Sequence, residues 1–216
     1  MTSLCVPLLS TFQSRLSTHA QALPFKHLIT AVGLDSAEIG WPPSQFKAVY
    51  ARAAHEGFKL VAHAGEEGPP DNIWAAVKDL RVSRIDHGIR CLEDEKLIHH
   101  LRDTQIPLTV CPISNEKLKV YEGQLSQKLR QLLTCNLVIT LNADDPAYFG
   151  GYECAQYMWM VEHAGLTADQ VRQCARNSFR VAFMPESRKG LCMGLVDEAF
   201  KLASSQGLIP KEHSAS

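Results

Sequence analysis

Four short motifs hold the residues of this 216-residue chain that could do acid–base or metal chemistry. They are His63-Ala64-Gly65-Glu66, Arg84-Ile85-Asp86-His87-Gly88, Cys111-Pro112-Ile113-Ser114-Asn115 and Asn142-Ala143-Asp144-Asp145-Pro146. His63, beside a tight Ala64-Gly65 turn, suits a metal ligand on a rigid backbone. A lone histidine is more often a satisfied core or surface residue, but the turn and the neighbouring acid reverse that weighting. Glu66 stands at the mouth of the following helix, near a metal without needing to coordinate it, which is the position of a general acid or base. His87 could bind metal, or orient and polarise a metal-bound water, and Asp86 is either its partner or a substrate contact. Adjacent carboxylates on extended chain point opposite ways, so one of Asp144 and Asp145 can face the metal while the other faces substrate. A helix N-cap ahead of Pro146 explains one aspartate but not the pair. A divalent ion can lower the pKa of its water to about 7. A polarising histidine and a proton-donating acid then complete a metal-assisted hydrolase.

Such residues must be delivered by elements, and each motif follows a short apolar run. The runs at 28–34, 58–62, 82–85, 107–110 and 137–141 read as buried parallel strands. Helices are expected between them: from Pro42-Pro43 to about Glu56, then at 72–80, 94–104 and 126–134. Phe46, Val49, Tyr50 and Ala53 should face inward, as should Ile73, Trp74 and Val77. After Asp145 the pattern is all-helical, over 152–162, 167–183 and 186–205, with Thr167 and Gln170 set for a capping box. Strand and helix in alternation imply a parallel sheet, whose sites gather at the carboxyl ends of the strands. No GxGxxG or GxxxxGK[ST] sequence follows any strand, so no nucleotide phosphate cradle is signalled.

Composition excludes several classes. Lys and Arg number 22 against 23 Asp and Glu, and the net charge of −1 argues against nucleic-acid binding. No apolar stretch is long enough to span a bilayer. The seven cysteines are scattered without a CxxC pair, so neither a disulfide framework nor a thiolate zinc site is indicated, and a reducing, cytoplasmic setting follows. Residues 1–22 faintly suggest a transit peptide. Leu4, Leu8, Phe12 and Leu16 recur at helical spacing, however, so an amphipathic helix covering the sheet is the expectation. The tail, 211–216, is expected to fray.

The order HAGEEG, RIDHG, CPISN and NADDPAYFGG resembles the adenosine/adenine deaminase family of metal-dependent hydrolases, which fold as (β/α)8 barrels. Gly33-Leu34-Asp35-Ser36-Ala37-Glu38, Asp86 before His87, Ser114-Asn115 with Lys117-Leu118, and the DPAYFGG run point to its adenine deaminase branch. The likeness runs from about Leu23 to Phe200. It implies His63 and Asp144 as zinc ligands, with Glu66 donating a proton to the purine N1. His87 would activate the attacking water, Asp145 would bind the purine N7, and Glu38 would sit in the segment lining the purine pocket. The implied reaction is zinc-dependent hydrolysis at C6 of adenine, giving hypoxanthine and ammonia in purine salvage.

Three positions depart from the family pattern. Ala143 stands where serine or threonine is usual, and Trp41 replaces a histidine after Glu38-Ile39-Gly40. More seriously, the family takes two further zinc ligands from an H-x-H sequence, and no two of the nine histidines here stand in that relation. Five strands are counted where a barrel needs eight. Residues 1–216 therefore read as one incomplete deaminase domain, a partial TIM-type barrel resembling the C-terminal part of the family. An unpaired edge at the first strand, uncovered apolar interior faces and weak metal binding are expected. The partners expected are a purine and either a complementing N-terminal fragment or a second copy. Adenosine deamination, or a non-catalytic remnant or half of a split enzyme, are the alternatives.

Overall fold

All five apolar runs form strands in the computed structural model of the chain, which describes residues 2–7 and 20–209. They are β2 (Ile29–Asp35), β3 (Lys59–Ala64), β4 (Arg84–His87), β5 (Leu108–Val110) and β6 (Ile139–Leu141). A sixth strand, β1 (Thr2–Pro7), precedes them. The six pair side by side in chain order, each neighbouring pair parallel.

The amphipathic helix expected at the start is corrected where the structure describes it. Thr2–Pro7 is extended and pairs with β2, from Thr2 opposite Ile29 to Pro7 opposite Asp35. Periodicity reports only which side of a segment is apolar, whereas a parallel partner satisfies a whole ladder of backbone donors and acceptors. Leu8, Phe12 and Leu16, like the tail at 211–216, lie outside the described residues. The open edge expected at the first predicted strand is accordingly closed by β1.

Register explains which residues meet. His63, Asp86, Thr109 and Thr140 are lateral neighbours across β3 to β6 on one face, and Ala62, Ile85, Leu108 and Ile139 form the adjacent row on the other. Side chains alternate across a strand, so one row is polar and the next apolar. The inner face, expected to be bare and apolar, is thus furnished with hydrogen-bonding groups.

The apolar row is covered by α1 (Lys47–His55), α2 (Pro70–Lys78), α3 (Glu95–Thr104) and α5 (Leu125–Thr134), with a short α4 (Pro112–Lys117) between the last two. Val49, Tyr50 and Ala53 of α1, Ile73 of α2, Leu97 and Leu101 of α3, and Leu129 and Leu132 of α5 are buried in one cluster with Ile85 and Leu108. Each large apolar side chain buried there stabilises the fold by about 1.5–3 kcal/mol. Trp74 and Val77 pack against this core only partly buried, and the Trp74 indole donates to Asp94 at 2.8 Å.

Beyond β6 come α6 (Pro146–Phe149), α7 (Glu153–Trp159), α8 (Ala168–Arg180) and α9 (Glu186–Ser205). The capping box of Thr167 and Gln170 opens α8 as anticipated. Asn177 of α8 donates Nδ2 to Ile139 O at 2.9 Å, taking up a carbonyl on the outer edge of β6. Arg172 and Arg176 both pair with Asp197, which ties α9 to α8. No helix among the described residues is long and apolar enough to cross a membrane.

Candidate active site

β3 delivers His63 and then turns at Gly65, whose φ is +76°. A Cβ there would overlap the Ile73 side chain of α2, so both the dihedral and the space demand glycine. The backbone N–H groups of Gly65, Glu66, Glu67 and Gly68 then all donate to Glu38, at 2.6, 3.1, 3.1 and 2.9 Å. Asn72 Nδ2 adds a fifth bond at 2.9 Å. Consecutive N–H groups ahead of a helix form a concave anion site, and here Glu38, only 2% exposed, fills it from within the chain. Burial works to raise its carboxyl, but the Gly65, Gly68 and Asn72 donors and His63 hold it below the usual range. Expected to line the purine pocket, Glu38 instead has both oxygens on this turn and is not part of the cavity wall.

The turn brings Glu66 between two histidines. Its Oε2 lies 3.3 Å from His63 Nε2 and its Oε1 lies 3.2 Å from His87 Nδ1. Asn115 Nδ2 donates to the same Oε1 at 2.7 Å, and the two imidazole rings are 4.5 Å apart. Burial opposes ionisation of Glu66, yet His63, His87 and Asn115 outweigh it and hold the carboxyl low. The histidines diverge. Burial pulls His63 down, but Glu66, Glu38 and Asp35 raise it overall. His87 is lowered by burial and by the charge of His63, against Glu66, Asp144 and Asp86. A carboxyl held below its usual range therefore sits between a histidine shifted up and one shifted down.

His87 and Asp144, both at strand ends, take left-handed φ values of +63° and +59°. For residues with a Cβ this costs roughly 1 kcal/mol or more each, and such strain collects at functional sites. Gly88 follows His87 with φ +71°, and a Cβ there would come 2.7 Å from Leu108 Cδ2. The distorted strand end turns His87 Nε2 to within 3.8 Å of Asp144 Oδ2.

A cavity of about 600 Å³ opens at these carboxyl ends, walled by His63, Asp86, His87, Thr109, Cys111, Asn142 and Asp144, with Tyr152, Ser178 and Val181 also lining it. Asp86 is a wall residue that accepts from Thr109 Oγ1 at 2.7 Å and lies 3.7 Å from Arg84 Nε, so Thr109 and Arg84 are its neighbours on this face. Asp145 is exposed, makes no side-chain capping bond to α6, and is not in the wall. Ala143, buried, is in it, and Trp41 packs partly buried against the core. Among the described residues two groups bring three potential metal donors within 4.8 Å of one another: His63, Glu66 and His87, and His87, Cys111 and Asp144. His63 Nε2 suits a metal ligand, being buried without a well-directed hydrogen bond. Sequence reasoning quoted Asn115 and Cys111 within a motif without giving either a role; the place of Cys111 directly after a strand end was the available signal, whereas Asn115 lies in α4.

A parallel sheet flanked by helices, with histidines and carboxylates converging at its carboxyl edge, defines a partial β/α barrel of the hydrolase type. The family model described as adenosine deaminase matches residues 9–199, and the chain belongs to that family. Similar proteins include an adenine deaminase of Pseudomonas fluorescens, 52% identical over 158 residues that make up 73% of this chain and 50% of that one. Another, from Hahella chejuensis, is 46% identical over 85% of this chain and 55% of its own length. The chain thus spans about half the length of these relatives. The crystal structure of an adenine deaminase from Arthrobacter aurescens superposes with a TM-score of 0.88 at 40% identity, covering 92% of this chain and 61% of that one. An amidohydrolase from Burkholderia ambifaria crystallised with bound zinc shares the fold, with a TM-score of 0.84 at 23% identity over 94% of this chain and 57% of its own.

Proposed function

We propose that this site serves the hydrolytic deamination of adenine to hypoxanthine and ammonia, a zinc-dependent step of purine salvage in the cytoplasm. The observation that carries the reading is Glu66, buried between His63 and His87 and steadied by Asn115. His63 and Asp144 would hold the ion, which when bound supplies a water of lowered pKa and a polarised reaction centre. Glu66 accepts a proton from the attacking water and returns it to the ring nitrogen, so that attack at C6 and protonation occur on one side of the base. His87, inclined to stay neutral, accepts a hydrogen bond from that water and orients it. Asp145, which opens α6 outside the cavity wall, would contact the purine N7. Glu38 acts on the same chemistry by fixing the backbone of Glu66. The two donors that an H-x-H sequence provides in the family would come from a complementing N-terminal fragment.

Absence of H-x-H from all 216 residues favours a second reading, that the chain alone is non-catalytic. Ammonia release from adenine and adenosine, measured with stoichiometric zinc, separates these possibilities. Turnover of adenine in preference to adenosine supports the proposal; preference for adenosine shifts the substrate; no turnover by a zinc-loaded chain leaves the non-catalytic reading. In any active form Glu66→Gln abolishes turnover with zinc still bound, and Asp144→Ala loses the metal. Retained turnover in the Glu66 variant would refute its role in proton transfer.

A further inference from the structure

We infer that in this chain by itself a divalent transition-metal ion is held by His87, Cys111 and Asp144, one strand over from His63. These residues follow one another at the ends of β4, β5 and β6, and one donor atom from each already lies within 4.8 Å of the others. Coordination lengths of about 2.0 Å to nitrogen and oxygen and 2.3 Å to sulfur call for donor separations of roughly 3.3–3.7 Å. His87 Nε2 and Asp144 Oδ2 stand at 3.8 Å, and a pair at the 4.8 Å limit must close by roughly 1.1–1.5 Å.

Three features favour this group over His63, Glu66 and His87. His87 Nδ1 faces Glu66 Oε1 at 3.2 Å, leaving Nε2 aimed at Asp144 and the cavity. A histidine whose second nitrogen is held by a carboxylate is the arrangement that orients and strengthens a metal-binding imidazole. Glu66, by contrast, is engaged by Asn115 and both histidines and is not in the cavity wall, whereas His87, Cys111 and Asp144 all are. An ion entering from solvent therefore meets all three of these donors at the wall, whereas of the rival group only His63 and His87 are exposed to it. The mixed nitrogen, sulfur and oxygen set suits Zn(II) or Co(II), and three protein ligands leave a coordination position open. On binding, the Cys111 S–H bond breaks, its proton passes to solvent, and the sulfur lone pair forms the bond to the ion, whose oxidation state does not change.

This assignment does not depend on the substrate. It occupies the nitrogen that water activation would use, so a chain loaded in this way binds metal without deaminating. Cobalt(II) is the probe, added anaerobically to the purified metal-free chain and followed by absorption. The expected result is one cobalt per chain, with a thiolate-to-cobalt charge-transfer band in the near ultraviolet. Cys111→Ser removes the band and weakens binding at least about tenfold, as does His87→Gln. Cys174→Ser, at a buried cysteine outside the cavity wall, and His63→Gln leave the band in place. Asp144→Asn, at an exposed position, weakens binding by a similar factor and serves if the Cys111 variant fails to fold by circular dichroism. Cobalt binding with no sulfur band, or a band that survives Cys111→Ser, overturns the assignment. Deamination by a chain lacking the band would overturn it while leaving the proposed function intact; a band without deamination by the chain alone supports it, and the proposed function then stands or falls with the chain joined to its missing half.

Discussion

At Glu38 one carboxylate answers five donors, so a substitution there acts on a whole turn. Glu38→Gln keeps the shape but turns an amide NH2 toward other N–H groups, and we expect it to cost about 2–4 kcal/mol in urea unfolding at neutral pH. The sign of the pH dependence follows from the lowered carboxyl. A folded-state value below the ordinary 4.5 gives stability that is present above that value and lost as the pH falls through the folded value. The gap between wild type and variant should therefore narrow in acid, and a gap of constant size would show that charge is not what the turn requires. Little of this was legible beforehand, because Glu38 and Gly65 are 27 residues apart and meet only through the sheet. His63, Glu66 and His87 were legible as chemistry because each stands directly after an apolar run. Asp145 was legible as a carboxylate but not in its position, since the bend into α6 leaves its side chain outside the cavity wall.

Elements with a strong local cause were anticipated well. The strands follow from branched apolar runs, α8 from its capping box, and α1 from Phe46, Val49, Tyr50 and Ala53, all of them buried. The first strand was misread because the cause of β1 lies in its pairing with β2, which periodicity cannot report. Asp94 illustrates a local cause with a measurable consequence. It accepts from Lys96 N at 2.9 Å and Leu97 N at 3.2 Å at the start of α3, and also from the Trp74 indole. Asp94→Ala should cost about 1–2 kcal/mol by thermal or urea unfolding. Asp94→Asn, which can still cap, should recover part of that loss. Equal losses in the two variants would mean that the carboxylate charge, not the cap, matters. Gly65→Ala meets both a left-handed dihedral and the Ile73 side chain, so in place of the roughly 0.4–1 kcal/mol of stabilisation that a less flexible unfolded chain alone would give, it should destabilise by more than about 1 kcal/mol. A stability unchanged from wild type would contradict the close packing of β3 on α2.

Over the whole molecule, six strands pair in chain order and lay one polar row, His63, Asp86, Thr109 and Thr140, along the face beneath the cavity. That row gives the partial barrel an interior without a full complement of strands. The family membership and the half-length match to relatives fit the same picture of a partial barrel. Its completeness is the central question, and joining this chain to the unmatched half of the Pseudomonas fluorescens relative addresses it. Conversion of adenine to hypoxanthine by that zinc-loaded chimera is the most direct measurement. Turnover by the chimera, and none when it carries Glu66→Gln, is the expected result. A folded, zinc-loaded chimera that leaves adenine unchanged, or one whose turnover survives the Glu66 substitution, would contradict it.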